Sequence, residues 1–116
     1  MNPELKFDEE FYTSIKMGFK IQTIRNHLKI GILPGKKCNA LFVNNNCDYV
    51  EDKRLYLKIK HISLKNFKDL DLGDVLRENT TTVEDLKENL LRIYPELNSE
   101  SIIYCINFQV IKSKEV

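Results

Sequence analysis

The segment Ile102–Ile111 constrains the fold most, because two sets of side chains alternate along its whole length and predict a long strand. Leu55–Leu64 alternates in the same way at its start, with apolar side chains on one face and tyrosine and lysines on the other. Two shorter strands are predicted at residues 21–25 and Cys38–Val43. The chain therefore supplies four predicted strands.

One helix is clearly marked between Thr81 and Tyr94. Thr81, followed three residues later by Glu84, predicts a capping box at the start of this helix, and Pro95 follows its end. Four apolar residues at helical spacing form one stripe along it: Leu86, Leu90, Ile93 and Tyr94.

A shorter helix is predicted from Asp8 to Met17, where acidic residues crowd the first turn and Gly18 is placed to end it. Asn44–Lys53 is polar, with three consecutive asparagines, and predicts a loop or hairpin connection. Asn66–Leu76 predicts a turn and a short helical piece. Strands interleaved with two helices indicate a small α+β domain whose sheet is curved or closed.

Length and composition favour a single domain over residues 1–116, with a core from about residue 8 to 111 and a loose tail at residues 112–116. No apolar run approaches the roughly 20 residues that cross a bilayer, and no secretory signal is visible, so we expect no membrane partner. The three cysteines, an odd number without a CxxC pair, favour a reducing compartment and hence a cytoplasmic protein. Together with two histidines they form no zinc-ligand pattern, so we expect no metal. We also expect no cofactor, and a monomeric state is favoured.

The net charge of +1 hides an uneven distribution of charged residues. Residues 11–47 and 53–68 each carry six basic residues and no acid, whereas residues 69–101 carry nine acids against three bases. A fold that gathers the first two stretches presents a basic face suited to phosphates. The alternative is that these lysines only solvate strand surfaces.

The candidate functional site is the segment Gly18–Arg25, which places an amine, a hydroxyl and a guanidinium within six residues. In a strand over residues 21–25, Thr23 and Arg25 project from the same face, with Lys20 at the strand mouth. Such a group suits an anion or, where a neighbour accepts the threonine proton, a nucleophile. The alternative is an ordinary strand with Lys20 in solvent and Arg25 paired with an acid.

Four motifs follow one another along the chain. They are Gly18-x-Lys20-x-x-Thr23-Ile24-Arg25, Gly35-Lys36-Lys37, Phe67-Lys68-Asp69-Leu70 and the helix that ends in Tyr94-Pro95. Their order and spacing, from about residue 11 to residue 110, resemble the ASCH domain family. The resemblance implies a PUA-like β-barrel: an α+β fold with a mixed, strongly curved sheet and two to three helices packed around it.

The resemblance also implies a function. The family is thought to bind RNA or modified nucleosides in a cleft lined by the basic segment, here Lys20, Thr23 and Arg25. Some small members are amidohydrolases that remove the acetyl group from N(4)-acetylcytidine with a lysine, a threonine and a glutamate. By position these roles fall on Lys20, Thr23 and Glu78, the last with a one-residue insertion before Leu86.

The segment departs from the family pattern at two positions. Phe19 stands where a basic residue is usual, and Ile21 stands where the first threonine is usual. Phe19 is therefore predicted either to bind the ligand, by covering the cleft or stacking on a base, or to seal the end of the first helix. Val43–Arg54 resembles an added loop. The resulting hypotheses are an RNA- or modified-nucleotide-binding domain, an amidohydrolase acting on acylated nucleosides, or a weak ribonuclease.

The placement of five further ring side chains also bears on the site. Tyr56, Tyr94 and Tyr104 suit base stacking, but periodicity favours a core position for Tyr94 and Tyr104. The alternation of the Leu55–Leu64 strand turns His61 inward. His27, two residues after the basic segment, lies either in the cleft or in a solvated loop.

Overall fold

The computed structural model describes residues 2–112; residues 113–116, which make up most of the predicted loose tail, lie outside this range with residue 1. Within it the order of elements is β1 (Glu4–Asp8), α1 (Tyr12–Lys16), β2 (Gln22–Arg25), β3 (Lys37–Val43), β4 (Tyr49–Asn66), α2 (Leu72–Glu78), α3 (Val83–Ile93) and β5 (Ile102–Ile111). A single 3₁₀ turn precedes each of α1 and α2. None of the helices in this range has the length and apolar character that crossing a membrane requires.

The five strands form one sheet in the order β1-β3-β4-β5-β2. β1 pairs with β3 in parallel, and the other three pairings are antiparallel. The sheet curls into a half-barrel, which brings its two edges together: the Arg25 guanidinium on β2 donates a hydrogen bond of 2.8 Å to the Lys6 carbonyl on β1. The predicted α+β fold with a mixed, strongly curved sheet and up to three helices is confirmed.

The core has two parts because β5 is buried on both faces. Ile106 and Phe108 point into the curl of the sheet. There they pack with the inner faces of β1, β3 and β4 and with α1. Ile103 and Cys105 point to the opposite face, as the period of two requires. There they pack with apolar residues of α2 and α3, such as Val75. The second core layer holds both helices against β2 and β5.

The core begins earlier than residue 8, where the sequence placed its start. Leu5 and Phe7 of β1 are buried in the part of the core that lies inside the curl of the sheet. Glu4, Lys6 and Asp8 alternate with them along the strand and are exposed. Five residues with only two apolar side chains gave too short a pattern to predict this strand.

The connection between β3 and β4 is shorter than the predicted loop at residues 44–53. Asn44 closes a tight turn, because its backbone N–H donates to the Asp48 carbonyl at 2.9 Å and its side-chain oxygen accepts from the backbone of Asn46 and Asp48. β4 begins directly afterwards at Tyr49, so residues 49–53 belong to a strand and not to a loop.

The prediction that His61 points inward is wrong. Ile59 pairs with Phe108, but His61 pairs with the adjacent Asn107, so one extra residue is inserted into β4 between them. Such a β-bulge shifts the alternation by one position. His61 is exposed as a result.

The predicted capping box at Thr81 is wrong, because α3 is capped one residue later. Thr82 is the N-cap of α3, and its side chain accepts a hydrogen bond of 3.0 Å from the backbone N–H of Asp85. Thr81 instead donates from its hydroxyl to the Asp85 carboxylate. Thr81 and Thr82 each have an acidic residue three positions later. The sequence therefore offered two equivalent starting points for the helix.

Candidate active site

A cavity of about 260 Å³ opens at the seam where the edge strands β1 and β2 face each other. Three of its polar lining residues are Lys20, Thr23 and Glu78. Much of the remaining wall is apolar and comes from β1, α3 and the residue that follows α3: Phe7, Leu86, Leu90, Ile93 and Tyr94. A few polar groups converging in a largely apolar cavity is the usual composition of a small-molecule site.

Lys20 and Glu78 form a buried ion pair in this cavity. The Lys20 Nζ lies 2.8 Å from Glu78 Oε1, and the two residues are only 5% and 6% exposed. A tight turn after α1 delivers Lys20: Gly18 takes a φ of 82°, and the backbone N–H of Lys20 donates to the Ser14 carbonyl. Glu78 is the last residue of α2. The interpretation of Lys20 as a solvent-exposed lysine is therefore wrong.

Burial and the neighbouring Lys20 shift the pKa of Glu78 in opposite directions. Burial raises the pKa of this carboxyl, and the Lys20 ammonium opposes that rise. The second oxygen, Oε2, is buried without a hydrogen-bond partner among residues 2–112. A buried acceptor left unpaired costs about 1–3 kcal/mol, so Oε2 is prepared to take a proton or a ligand N–H.

Thr23 and Arg25 project from the same face of β2, as the sequence predicted. Arg25 Nε donates to the Thr23 Oγ1 at 3.1 Å, which leaves the hydroxyl proton of Thr23 free to point elsewhere. The guanidinium lies 5.1 Å from the centre of the Phe7 ring and bonds to the Lys6 carbonyl. Burial lowers the pKa of Arg25. Arg25 thus joins the two sheet edges at the floor of the site.

The predicted ligand-binding role of Phe19 is not supported by its position. Phe19 is 62% exposed and does not line the cavity. The turn that buries Lys20 directs its neighbours Phe19 and Ile21 outward. His27 is exposed and contacts Asn26, in agreement with the loop interpretation.

The cavity is less basic than the sequence suggested. Lys6, Lys20 and Arg25 line it together with the carboxylates of Asp8 and Glu78. Because Glu78 neutralises Lys20, only a small positive excess remains for a ligand. An uncharged or weakly charged ligand suits this balance better than a polyphosphate.

Two alternative chemistries, metal binding and a reactive cysteine, have no support among the described residues. No cluster of three His, Cys, Asp or Glu side chains in residues 2–112 could hold a metal ion. Cys38 and Cys105 are buried, and burial raises the pKa of their thiols to about 11 and about 12, far from the thiolate form. Cys47 is exposed in the β3–β4 turn and does not line the cavity.

A second buried polar cluster, which sequence reasoning missed, anchors α2. Gln22, 1% exposed on β2, donates to Asp74 Oδ1 at 3.1 Å and accepts from Arg77 and Asn107. Asp74 also accepts from Lys65 at 2.7 Å. The cluster fixes the helix that carries Glu78 against the strand that carries Thr23. A glutamine at the start of a four-residue strand, between Ile21 and Thr23, was the sequence signal for it.

This cluster predicts an acid-sensitive contribution to stability. Burial alone would raise the pKa of Asp74, but hydrogen bonds from Lys65, Gln22, the Asp71 backbone and Arg77 outweigh it and hold the pKa at about 2. Because the pKa of Asp74 is lower in the folded state, its ionised carboxylate stabilises the fold at pH values above its unfolded pKa near 4. This contribution of about 2 kcal/mol to the free energy of unfolding is lost as the pH falls through 2. Urea unfolding should therefore show Asp74→Asn clearly less stable than wild type near pH 6. An equal difference at the lowest pH that wild type tolerates would contradict this origin.

Comparison with known proteins identifies the fold. No protein-family model matches the sequence, and no curated protein matches it significantly. Protein EF3133 of Enterococcus faecalis V583, described with the family DUF984, is 12% identical over 99% of this chain and 81% of its own, with a TM-score of 0.67. ASCH from Zymomonas mobilis is 14% identical over 94% and 69%, with a TM-score of 0.61. An ASCH domain from Lactobacillus crispatus is 12% identical over 85% and 69%, with a TM-score of 0.59.

The chain therefore has the ASCH-type fold that its motifs predicted. At these identities the likeness defines the fold alone, and the activity has to be argued from the site.

Proposed function

We propose that the protein is an amidohydrolase that removes the acyl group from an N-acylated nucleoside of the N(4)-acetylcytidine type. The observation that carries this proposal is the buried Lys20–Glu78 pair in the same cavity as the Thr23 hydroxyl. These are the three residues implied by the resemblance to the small amidohydrolase-type ASCH members. The three residues come from a loop, a strand and a helix. The alternative, in which the lysines only solvate strand surfaces, does not account for their burial in one cavity.

In the first step Thr23 Oγ attacks the acyl carbonyl carbon. Its proton passes to Glu78, whose Oε2 has a free lone pair and whose pKa burial raises, which makes the carboxylate a better proton acceptor. Lys20 uses one N–H for Glu78 and has two more for the carbonyl oxygen as it becomes negative. Arg25 donates to Thr23 Oγ and stabilises it as it loses its proton.

The C–N bond then breaks, and Glu78 returns the proton to the departing nucleoside nitrogen. The acyl group remains as an ester on Thr23. In the second step a water molecule attacks this ester and gives a proton to Glu78. Glu78 passes that proton to Thr23 Oγ as the ester bond breaks, which releases the carboxylic acid and restores the free threonine and the carboxylate. The products are one acid and one amine for each amide and water consumed.

The test is a comparison of acylated substrates with the purified protein. We expect N(4)-acetylcytidine to yield cytidine and acetate in equal amounts, measured by liquid chromatography. An N-acetyl-lysine peptide, which has the same bond but no base, should be a much poorer substrate. Failure of every acylated nucleoside to react at enzyme concentrations matching the substrate would remove the proposal.

A second candidate function is binding of RNA or a modified nucleotide without hydrolysis. It is favoured by Lys6 and Arg25, two cations of the cavity lining that no lining carboxylate pairs within the described residues. Affinity for RNA would then fall with salt and fall further when both are neutralised. Lys20 is not a suitable position for this test, because Glu78 already compensates its charge.

A further inference from the structure

One polar residue interrupts the apolar face that α3 turns toward the cavity. Leu86, Leu90 and Ile93 line the cavity at the spacing of one helical face, and Asn89 lies on the same face between them. The pattern i, i+3, i+4, i+7 would ordinarily place a fourth apolar residue at position 89. The sequence instead has a carboxamide there, half-buried in the cavity wall.

Neither helix formation nor local hydrogen bonding accounts for this asparagine. Asparagine is a weak helix former, and it is usually favoured at caps and turns, where its side chain bonds the backbone. Asn89 is in the middle of α3. The side-chain hydrogen bonds formed by α3 residues within the described range involve Asp85 and Lys87, and none involves Asn89. Its amide donor and acceptor are available to the cavity.

We infer that Asn89 reads the polar edge of the base in the cavity, and this inference rests on the proposed function. A carboxamide presents an N–H donor beside a carbonyl acceptor. It can therefore form two hydrogen bonds with a ring nitrogen that lies beside an exocyclic N–H. An N-acylated cytosine has that edge: ring N3 accepts from Asn89 Nδ2, and the N4–H donates to Asn89 Oδ1. The bound group is therefore an N-acylated aminopyrimidine-type base rather than a simple aryl amide.

The apolar neighbours of Asn89 strengthen this pairing. Leu86, Leu90 and Tyr94 line the cavity beside Asn89 and offer flat or aliphatic surface to the faces of a ring. A hydrogen bond made in such a setting discriminates strongly, because a base without the matching atom leaves the amide unpaired.

The test compares two ligands and two proteins by calorimetry. Cytidine and 3-deazacytidine, in which C–H replaces the ring N3, are titrated into wild type and into Asn89→Leu, which extends the existing leucine face and should fold. Wild type should bind cytidine about 10- to 100-fold more tightly than 3-deazacytidine. In Asn89→Leu the two affinities should become nearly equal, whereas the neighbouring exposed control Glu88→Leu should keep the wild-type ratio.

An unchanged ratio of affinities in Asn89→Leu would overturn the inference, since the N3 contact would then belong to another residue. Equal binding of both ligands by wild type would overturn it as well. The result is independent of acetate release, so a protein that reads cytidine through Asn89 but releases no acetate would refute the amidohydrolase proposal and leave this assignment standing.

Discussion

Replacing Thr23 with alanine should reduce acetate release from N(4)-acetylcytidine by a factor of about 10³ or more. The proposed chemistry forms a covalent bond to Thr23 Oγ, and alanine has no atom that can replace it. Thr23→Ser keeps the hydroxyl and should retain measurable turnover. Initial rates followed by liquid chromatography, with circular dichroism to verify folding, provide the measurement.

Two outcomes would assign Thr23 another role. Turnover by Thr23→Ala within a few-fold of wild type would mean that water attacks the amide directly. Equal loss in the alanine and serine variants, with both proteins folded, would indicate that the threonine methyl group, rather than its hydroxyl, matters.

Breaking the Lys20–Glu78 pair should cost about 3–5 kcal/mol of the free energy of unfolding, because it leaves one buried charge without its partner. The total stability of a domain of this kind is about 5–15 kcal/mol, so Lys20→Met should shift the unfolding midpoint substantially. The double variant Lys20→Met/Glu78→Leu leaves neither charge and should be considerably more stable than the sum of the two single changes predicts.

The pH dependence of Lys20→Met supplies a second check. Burial raises the pKa of Glu78, and removing Lys20 takes away the ammonium that opposes this rise. When the pKa of a carboxyl is higher in the folded than in the unfolded protein, stability is lost as the pH rises through the pKa of the folded protein. Lys20→Met should therefore lose more stability at alkaline pH than at mildly acidic pH. Additive effects in the double variant, with no such pH trend, would show that the pair is not electrostatically coupled.

The sequence predicted those parts of the fold that have a clear local period. β5, β3 and the start of β4 alternate over enough residues to be recognised, and Gly18 marked the end of α1. β1 was missed because its role depends on parallel pairing with β3, a contact far away in the chain. His61 was misplaced because a bulge inserts one residue without any composition signal.

Four of the candidate residues named from the sequence, Lys20, Thr23, Arg25 and Glu78, line one cavity, but the sequence did not predict their electrostatics. Same-face projection of Thr23 and Arg25 follows from strand geometry, and the resemblance supplied Glu78. The burial of Lys20 against Glu78, 58 residues away, depends on tertiary packing that no local pattern contains. Asn89 was missed because the apolar stripe around it was interpreted only as core.

The most direct measurement is a single turnover of N(4)-acetylcytidine with wild-type protein in excess, quenched at successive times and analysed by mass spectrometry. We expect one cytidine for each acetylcytidine consumed and a transient acetyl group on the peptide that contains Thr23. Intact N(4)-acetylcytidine after prolonged incubation, with no acetyl group on the folded protein, would contradict it.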